Sequence, residues 1–412
     1  MSNPISPLFK SPPIIRGGDI NSFAFFTLKN RLPHIIEEIM SNNKLHPTAI
    51  NNLKCLKNEI ARGKIILLKD INSKDRASWN NCIIQYLGKS WFEVPFFFAE
   101  MYFYRRVLEA LDYFNTPSGS SIDPYKTIKD RELLTITAQV EKYAYTLDKM
   151  GNTNNAEFEL LPFFIMAAIW SNKVDLSQLP KTSDANKDSD PIDDGNLLLI
   201  NDTSMIHDFF RTTKSLKRID IILDNSGAEL LADLALATYL LESQLAESIF
   251  LHCKKDPVFV SDATITDVKA TVNFIKKGST LQASSWANKL QLFIEQERIA
   301  LCNHEFWTLP LSFQELSDEL VRDLGKSNLV IIKGDANYRR LVEDRHWPIS
   351  TPLKQTASYF PSNFLALRVL KSELLVGAAP ELLASYNLPE DWMISGEFGI
   401  AQSLFKLPEN SD

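Results

Sequence analysis

Two hydrophobic rhythms divide the chain. From Ser22 to about Ser171, apolar residues recur at spacings of three and four, as in Phe92, Phe96, Ala99, Phe103, Val107 and Leu111. Residues so spaced share one face of a helix, which predicts a mainly helical region. Its Phe-rich stretch reads as buried core and not as an aromatic binding cage. After Asn196 the rhythm changes. Leu197–Asp202, Arg218–Asn225, Ser248–Lys254 and Asn328–Asp335 are short aliphatic runs with the length of strands buried on both faces. Between the second and third, Glu229–Ala246 has a helical pattern with Leu at 230, 231, 234, 241 and 245. Strand, helix and strand of these lengths make right-handed βαβ units, so the expected class is α/β with a mainly parallel sheet. The stretch 172–196 is rich in Asp, Ser and Lys and lacks apolar periodicity, which predicts a loop or linker. The expected organisation is a helical N-terminal subdomain over 1–171, that loop, and an α/β core over 197–412.

Composition narrows the function classes. The 412 residues carry 44 Lys+Arg against 51 Asp+Glu, a net charge of −7, with 45% apolar residues. At roughly 100–200 residues per domain, this is a globular chain of two or three units, or one large α/β domain with an added subdomain. The negative balance gives no electrostatic reason to hold nucleic acid or an anionic membrane, so the expected partner is a small molecule. Nothing in the sequence points to a protein partner. Cys55, Cys82, Cys253 and Cys302 form no CxxC pair and read as reduced thiols, not zinc ligands. Met1 to Gly18 lacks the apolar core of a signal peptide. The most apolar window, Pro95–Tyr104, is broken by Glu100 and falls short of the roughly 18–20 residues that span a bilayer. Cytoplasm is the expected address, with the nucleus as an alternative.

The candidate chemistry lies where aliphatic runs end. One ends Leu223-Asp224-Asn225, another leads to Ser261-Asp262, and a third ends Lys333-Gly334-Asp335-Ala336-Asn337-Tyr338-Arg339. In a parallel sheet the carboxyl ends of the strands form one rim, where ligands bind. Asp224, Asn225, Asp262 and Asp335 would converge there. Two carboxylates and an amide oxygen are hard donors that suit Mg²⁺ or Mn²⁺ better than zinc. Such an ion acidifies water and neutralises charge on a phosphoryl oxygen. Lys333, Arg339 and Lys371 offer positive charge for a phosphate. Metal-assisted hydrolysis of a small phosphate ester is the expectation. Each residue also has a plain structural reading: Asp-Asn-Ser-Gly is good turn chemistry, Asp262 can cap a helix starting near Thr264, and His252 can simply pack.

The segments LDNSGAELLADLALA (Leu223–Ala237), PVFVSDATITD (Pro257–Asp267) and KGDANYRRL (Lys333–Leu341) together resemble the metal-dependent damage-control phosphatases. The resemblance is to the eukaryotic branch also described as acidic-residue (protein-glutamate) methyltransferases. SFAFFTLKNRLP, KSWFEVPFFFAEMYFYRR, LLINDT and SGEFGIAQ extend it over nearly the whole chain. It implies an α-helical N-terminal part on a Rossmann-like α/β/α core. It also implies one divalent cation, Mn²⁺, Co²⁺, Ni²⁺ or Mg²⁺, held by Asp224, Asn225 and Asp262. Glu229 and the run Asp335, Ala336, Asn337, Tyr338 and Arg339 would line the substrate pocket. The branch carries an Arg-Thr-x-Lys signature; here the stretch is Arg368-Val369-Leu370-Lys371, which keeps Lys371 as a phosphate-binding candidate and replaces the hydroxyl.

Three functions compete. A phosphatase would act on sugar phosphates such as fructose 1-phosphate or on damaged phosphometabolites, with Asp224, Asp335 and Lys371 as catalytic residues. An S-adenosylmethionine-dependent carboxyl methyltransferase would place a Gly-rich turn after its first core strand, yet none of the 14 glycines forms a GxG. A non-catalytic binding protein would not need both acids and the amide. The oxygen ligands favour the phosphatase.

Overall fold

The computed structural model describes residues 11–115, 123–150, 158–171, 197–213, 215–386 and 388–406. The stretch 172–196, expected as a loop or linker, lies outside the described residues. Seven strands form one sheet: β1 (Leu197–Asn201), β2 (Leu216–Ile222), β3 (Ala246–Cys253), β4 (Ile299–Asn303), β5 (Leu329–Lys333), β6 (Phe364–Val369) and β7 (Phe398–Leu404). Their order is β1-β7-β6-β5-β2-β3-β4. Every neighbouring pair is parallel except β6 and β7.

The α/β class with a mainly parallel sheet is therefore present, and β1, β2, β3 and β5 coincide with the aliphatic runs. The helix expected over Glu229–Ala246 runs Ala228–Glu242. Gln244, at φ 58°, turns the chain after it, so Leu245 closes the corner and Ala246 opens β3.

Side chains alternate across each central strand with period two. Ile219, Ile221, Leu329, Ile331, Leu365 and Leu367 pack into one layer, with the helices Thr137–Met150, Leu161–Trp170, Ala228–Glu242 and Leu281–Glu295. Ile222, Val330, Ile332, Phe364 and Ala366 pack into the opposite layer, with Tyr338 and Leu341 of the helix Gly334–Val342. The result is an α/β/α sandwich. The helix Ala228–Glu242 is apolar nearly all round because it is enclosed on all sides. A third cluster holds the earlier helices together around Trp79, Trp91 and the Phe96–Ala110 helix. Two helices within 1–171, Thr137–Met150 and Leu161–Trp170, belong to the sheet's own layer. Among the described residues no helix is long and apolar enough to cross a membrane.

Topology decides where a ligand can enter. From β2 the chain steps outward to β3 and β4, then returns to lay β5 on the other side of β2. The helices that follow β2 and β5 consequently leave on opposite faces. Their divergence opens a crevice at the carboxyl ends of these two strands, the switch point of the sheet.

Candidate active site

The end of β2 supplies the first half of the crevice. Asp224 is 6% exposed. The Asn225 amide nitrogen donates to Asp224 Oδ2 and to Glu229 Oε2, both at 2.9 Å, and its oxygen accepts from Ser261 Oγ at 2.6 Å. Neither Asp224 nor Asn225 caps the following helix, whose N-cap is Gly227 without a side-chain bond of its own. The turn reading alone thus leaves these side chains unexplained.

The end of β5 supplies the second half. Gly334 has φ +79°, and a β-carbon there would overlap the Asp224 carboxylate. Only glycine lets the two strand ends approach this closely. Next to it, Asp335 Oδ1 accepts from Arg368 Nε at 2.8 Å, from the Lys371 backbone N–H at 3.1 Å and from Ser372 Oγ at 3.1 Å. Arg368 is buried and Lys371 exposed. The first cation of the Arg-x-x-Lys stretch is engaged in building the corner, and the second is presented by it.

Asp262 arrives on a loop after β3 in which Phe259 and Val260 both have positive φ, 51° and 66°. Non-glycine residues rarely adopt this conformation, least of all a β-branched one. The loop pairs antiparallel with the β2 end at Asn225 and Asp262, and the Ala263 N–H donates to the Asp224 carbonyl at 2.7 Å. Lys254 Nζ stands 3.2 Å from Asp262 Oδ2 and donates to the Leu223 carbonyl at 3.0 Å. The helix Ile265–Lys276 is capped by Thr264 in a capping box with Asp267, so Asp262 is not its cap.

Asp224, Asn225, Glu229, Asp335 and Lys371 line one cavity of about 100 Å³, walled by Trp170, Leu367, Val369 and Gly396. Asp262, 1% exposed, sits beside the Asp224 turn without lining it. The rest of the predicted run goes elsewhere, because the helix Gly334–Val342 carries it away after Asp335. Ala336 packs into the N-terminal cluster. Asn337 donates to the carbonyls of Leu223 at 3.1 Å and Lys333 at 2.8 Å, and the Tyr338 hydroxyl donates to Gln402 at 3.0 Å. Arg339 is closed off by Glu100 at 2.6 Å and Asp344 at 3.0 Å, with Phe96 and Phe97 under its guanidinium. Lys333, fully buried, is held by Glu229 at 3.0 Å and Asp233 at 2.9 Å. Neither Lys333 nor Arg339 is presented to the cavity; the cation there is Lys371.

Burial, reinforced by the carboxylates of Asp262 and Glu229, pushes the Asp224 carboxyl well above the usual range. Burial also raises Asp262, against the pull of Lys254. At Glu229 and Asp335 burial acts the same way, but the combined pull of Lys333, Asn225 and Lys371 at the first, and of Arg368, Arg339 and the Lys371 N–H at the second, brings both below the usual range. Asp224 Oδ1 and Asp262 Oδ2 are buried without a well-formed hydrogen bond, although Lys254 faces the second as a charge. Among the described residues no three His, Cys, Asp or Glu side chains form a ligating cluster. Asp224, Asn225 and Asp262 bring together only two acids, with the Asn225 amide as third donor. Asp224 Oδ1, left without a donor beside the Asp262 and Glu229 carboxylates, together with the Asn225 amide and Asp262 gives an all-oxygen set that fits a hard divalent ion.

Sequence reading missed Gly334, Trp170, Ser171, Gly396, Leu367 and Lys254. Glycine between a strand and a helix was a usable signal for Gly334. Gly396 lies in SGEFGIAQ, Leu367 beside the Arg-x-x-Lys stretch and Lys254 at the end of an aliphatic run, but none of them is a residue type that marks a site there, and Trp170 and Ser171 come from a helix end with no motif.

An α/β enzyme with an oxygen-lined cavity at the switch point of its sheet is the class that fold and cavity define. The damage-control phosphatase ARMT1-like domain matches residues 27–384. Proteins named damage-control phosphatase ARMT1 are similar over nearly their whole length. The one from Homo sapiens is 30% identical, covering 95% of this chain and 98% of the relative. The one from Xenopus tropicalis is 31% identical, covering 92% and 96%. A crystal structure of a DUF89 family protein from Pyrococcus horikoshii aligns with a TM-score of 0.45 at 15% identity, over 92% of this chain and 97% of that one. The chain belongs to the damage-control phosphatase ARMT1-like family, and its enzyme class is that of a phosphatase.

Proposed function

We propose that the chain hydrolyses small phosphomonoesters with the help of one divalent cation, Mn²⁺, Co²⁺, Ni²⁺ or Mg²⁺, and that sugar phosphates such as fructose 1-phosphate head its substrates. The observation that carries the reading is the buried Asp224 Oδ1, which lacks a hydrogen bond and lies among carboxylates, in a cavity that Lys371 also lines. Asp224, Asn225 and Asp262 would hold the ion. When bound, it would acidify water and neutralise charge on the phosphoryl group.

The chain's own groups supply the rest. The Lys371 ammonium binds the phosphate oxygens as a charge-assisted donor. Asp335 fixes that lysine's backbone through Lys371 N–H and Arg368. Asn225 is held by Ser261, Asp224 and Glu229, so its amide cannot swing away. Trp170, Leu367 and Val369 form an apolar wall that limits water around the ester. Hydrolysis joins the oxygen of water to phosphorus, breaks the ester P–O bond and leaves the alcohol protonated. Asp224 is not the nucleophile in this reading, because its oxygens are ligands.

A phosphate-release screen of the metal-stripped chain across sugar phosphates and nucleotides, with each ion added back in turn, tests the function. Release from no phosphomonoester with any ion would reject it. Single turnover in ¹⁸O-labelled water tests the nucleophile: label confined to released phosphate is expected, and label in the Asp224 carboxylate would mean a phospho-enzyme.

A further inference from the structure

The two loops that carry the oxygen donors follow different strands, yet one helix that belongs to neither, Lys126–Thr135, grips both. Lys129 is 3% exposed and donates to the Asp262 carbonyl oxygen at 2.9 Å. The same ammonium holds Asp267, in the first turn of the helix after Asp262, at 2.8 Å, and Asp123 at 2.9 Å. One turn further on, the Glu132 carboxylate lies against the start of the helix that follows Asn225, facing the Ala228 backbone N–H. Its carboxylate occupies the space that a β-carbon on Gly227 would need. Gly227 has no capping side chain of its own, and the Glu132 carboxylate is the acceptor that another part of the chain brings to this helix start. Residues three apart share a helix face, and Lys129 and Glu132 therefore reach the two loops together.

Lys129 is the buried residue of this helix, which buries no apolar side chain in full. Burying an ammonium is costly unless it is fully paired. Tyr125, Leu133 and Ile136 anchor the ends and one side of this helix in the cores, while its contacts to the two loops are polar.

We propose that Lys129 and Glu132 form a clamp that sets the spacing between the Asp224–Asn225 turn and the Asp262 loop, and with it the affinity of the site for its divalent ion. Both are positioning residues, since neither lines the cavity. The clamp rests on the reading that Asp224, Asn225 and Asp262 hold the ion.

Electrostatics and positioning predict opposite signs at Lys129. Removing a cation from the neighbourhood of a cation site tightens binding by Coulomb's law, whereas loosening the loops weakens it. Mn²⁺ titrated calorimetrically into the metal-stripped full chain separates the two, with thermal unfolding of each metal-free variant alongside. Lys129→Met is expected to weaken Mn²⁺ binding by about 10–100-fold, the usual effect of losing a group that orients metal ligands. Glu132→Ala is expected to weaken it by about tenfold. Glu132→Gln, whose amide oxygen still faces the Ala228 N–H, should restore wild-type affinity. Unchanged or tighter binding in Lys129→Met overturns the clamp, and so does an equal loss in Glu132→Gln and Glu132→Ala. If Lys129→Met does not fold, the Glu132 pair decides. Asp224→Ala separates the two levels: normal Mn²⁺ binding there rejects the metal site itself, whereas its loss beside intact binding in the clamp variants rejects the clamp alone.

Discussion

Asp224 and Asp335 stand at the ends of neighbouring parallel strands and line the same cavity, but their surroundings are opposite. At the β2 end, Asp224 lies among other carboxylates, one of its oxygens has no donor, and its carboxyl is pushed up. At the β5 end, three donors converge on one oxygen of Asp335, a buried guanidinium faces it, and its carboxyl is pulled down. Sequence position treats the two acids as equivalent. Their partners do not: the first carries charge that the protein leaves unbalanced, and the second uses its charge to assemble a corner. The unbalanced end is where a cation belongs, and the saturated end is where rigidity comes from.

The sharpest way to break this contrast is to remove each acid and compare activity with stability. Asp224→Ala should reduce ion-dependent phosphate release by roughly a thousandfold, since several kcal/mol of charge stabilisation go with the ion. The metal-free variant should unfold at an unchanged or higher Tm, because a carboxylate short of donors is removed from a cluster of like charges. Chelation of wild type should reproduce the loss of activity. Asp335→Ala should instead destabilise the metal-free chain by about 3–5 kcal/mol, because it leaves Arg368 buried without its counter-charge. Chemical denaturation measures this, and equal destabilisation by the two variants would erase the difference between the strand ends.

Lys371→Ala sharpens the comparison at the corner. Its ammonium is exposed while its backbone is fixed, so kcat/KM on the best phosphomonoester should fall by roughly 10–100-fold. Tm should not move, and a drop in stability comparable to that of Asp335→Ala would make Lys371 a structural residue. The smallest effect belongs to Val369→Thr, which adds a hydroxyl to the wall of the cavity. One extra hydrogen bond would lower KM for hydroxyl-rich substrates by about two- to fivefold with kcat unchanged, as steady-state kinetics would show.

Buried aliphatic runs made the centre of the sheet legible in sequence. β2, β3 and β5 are enclosed on both faces, and their residues announce it. β4 is a half-exposed edge strand, β6 contains Arg368, and β7 mixes Gly399, Gln402 and Ser403 among its apolar residues, so none of the three stands out as a run. Asp224, Asn225 and Asp335 were legible because they end such runs at a rim the topology makes common. Glu229 came from the family resemblance, which also singled out Lys371 among the three cations considered for a phosphate. Arg339 shows the limit: adjacency to Asp335 in sequence says nothing about direction once a helix begins, and its side chain ends against Glu100 on another element. Lys129 and Glu132 sit in a helix of mixed charge whose sequence looks like any solvated one, and only the folded chain reveals what they touch.

The position of β7 gives the site a birth order. This strand lies between β1 and β6, and among the described residues β1 meets the sheet only through it. During synthesis, residues 197–201 leave the ribosome long before 398–404, so β1 must wait for its sole neighbour while the other five strands can already pair. The cavity waits as well, because Gly396, which walls it, belongs to the same late segment. Pairings this distant in sequence form slowly, and the pocket is complete only once β7 and Gly396 are in place.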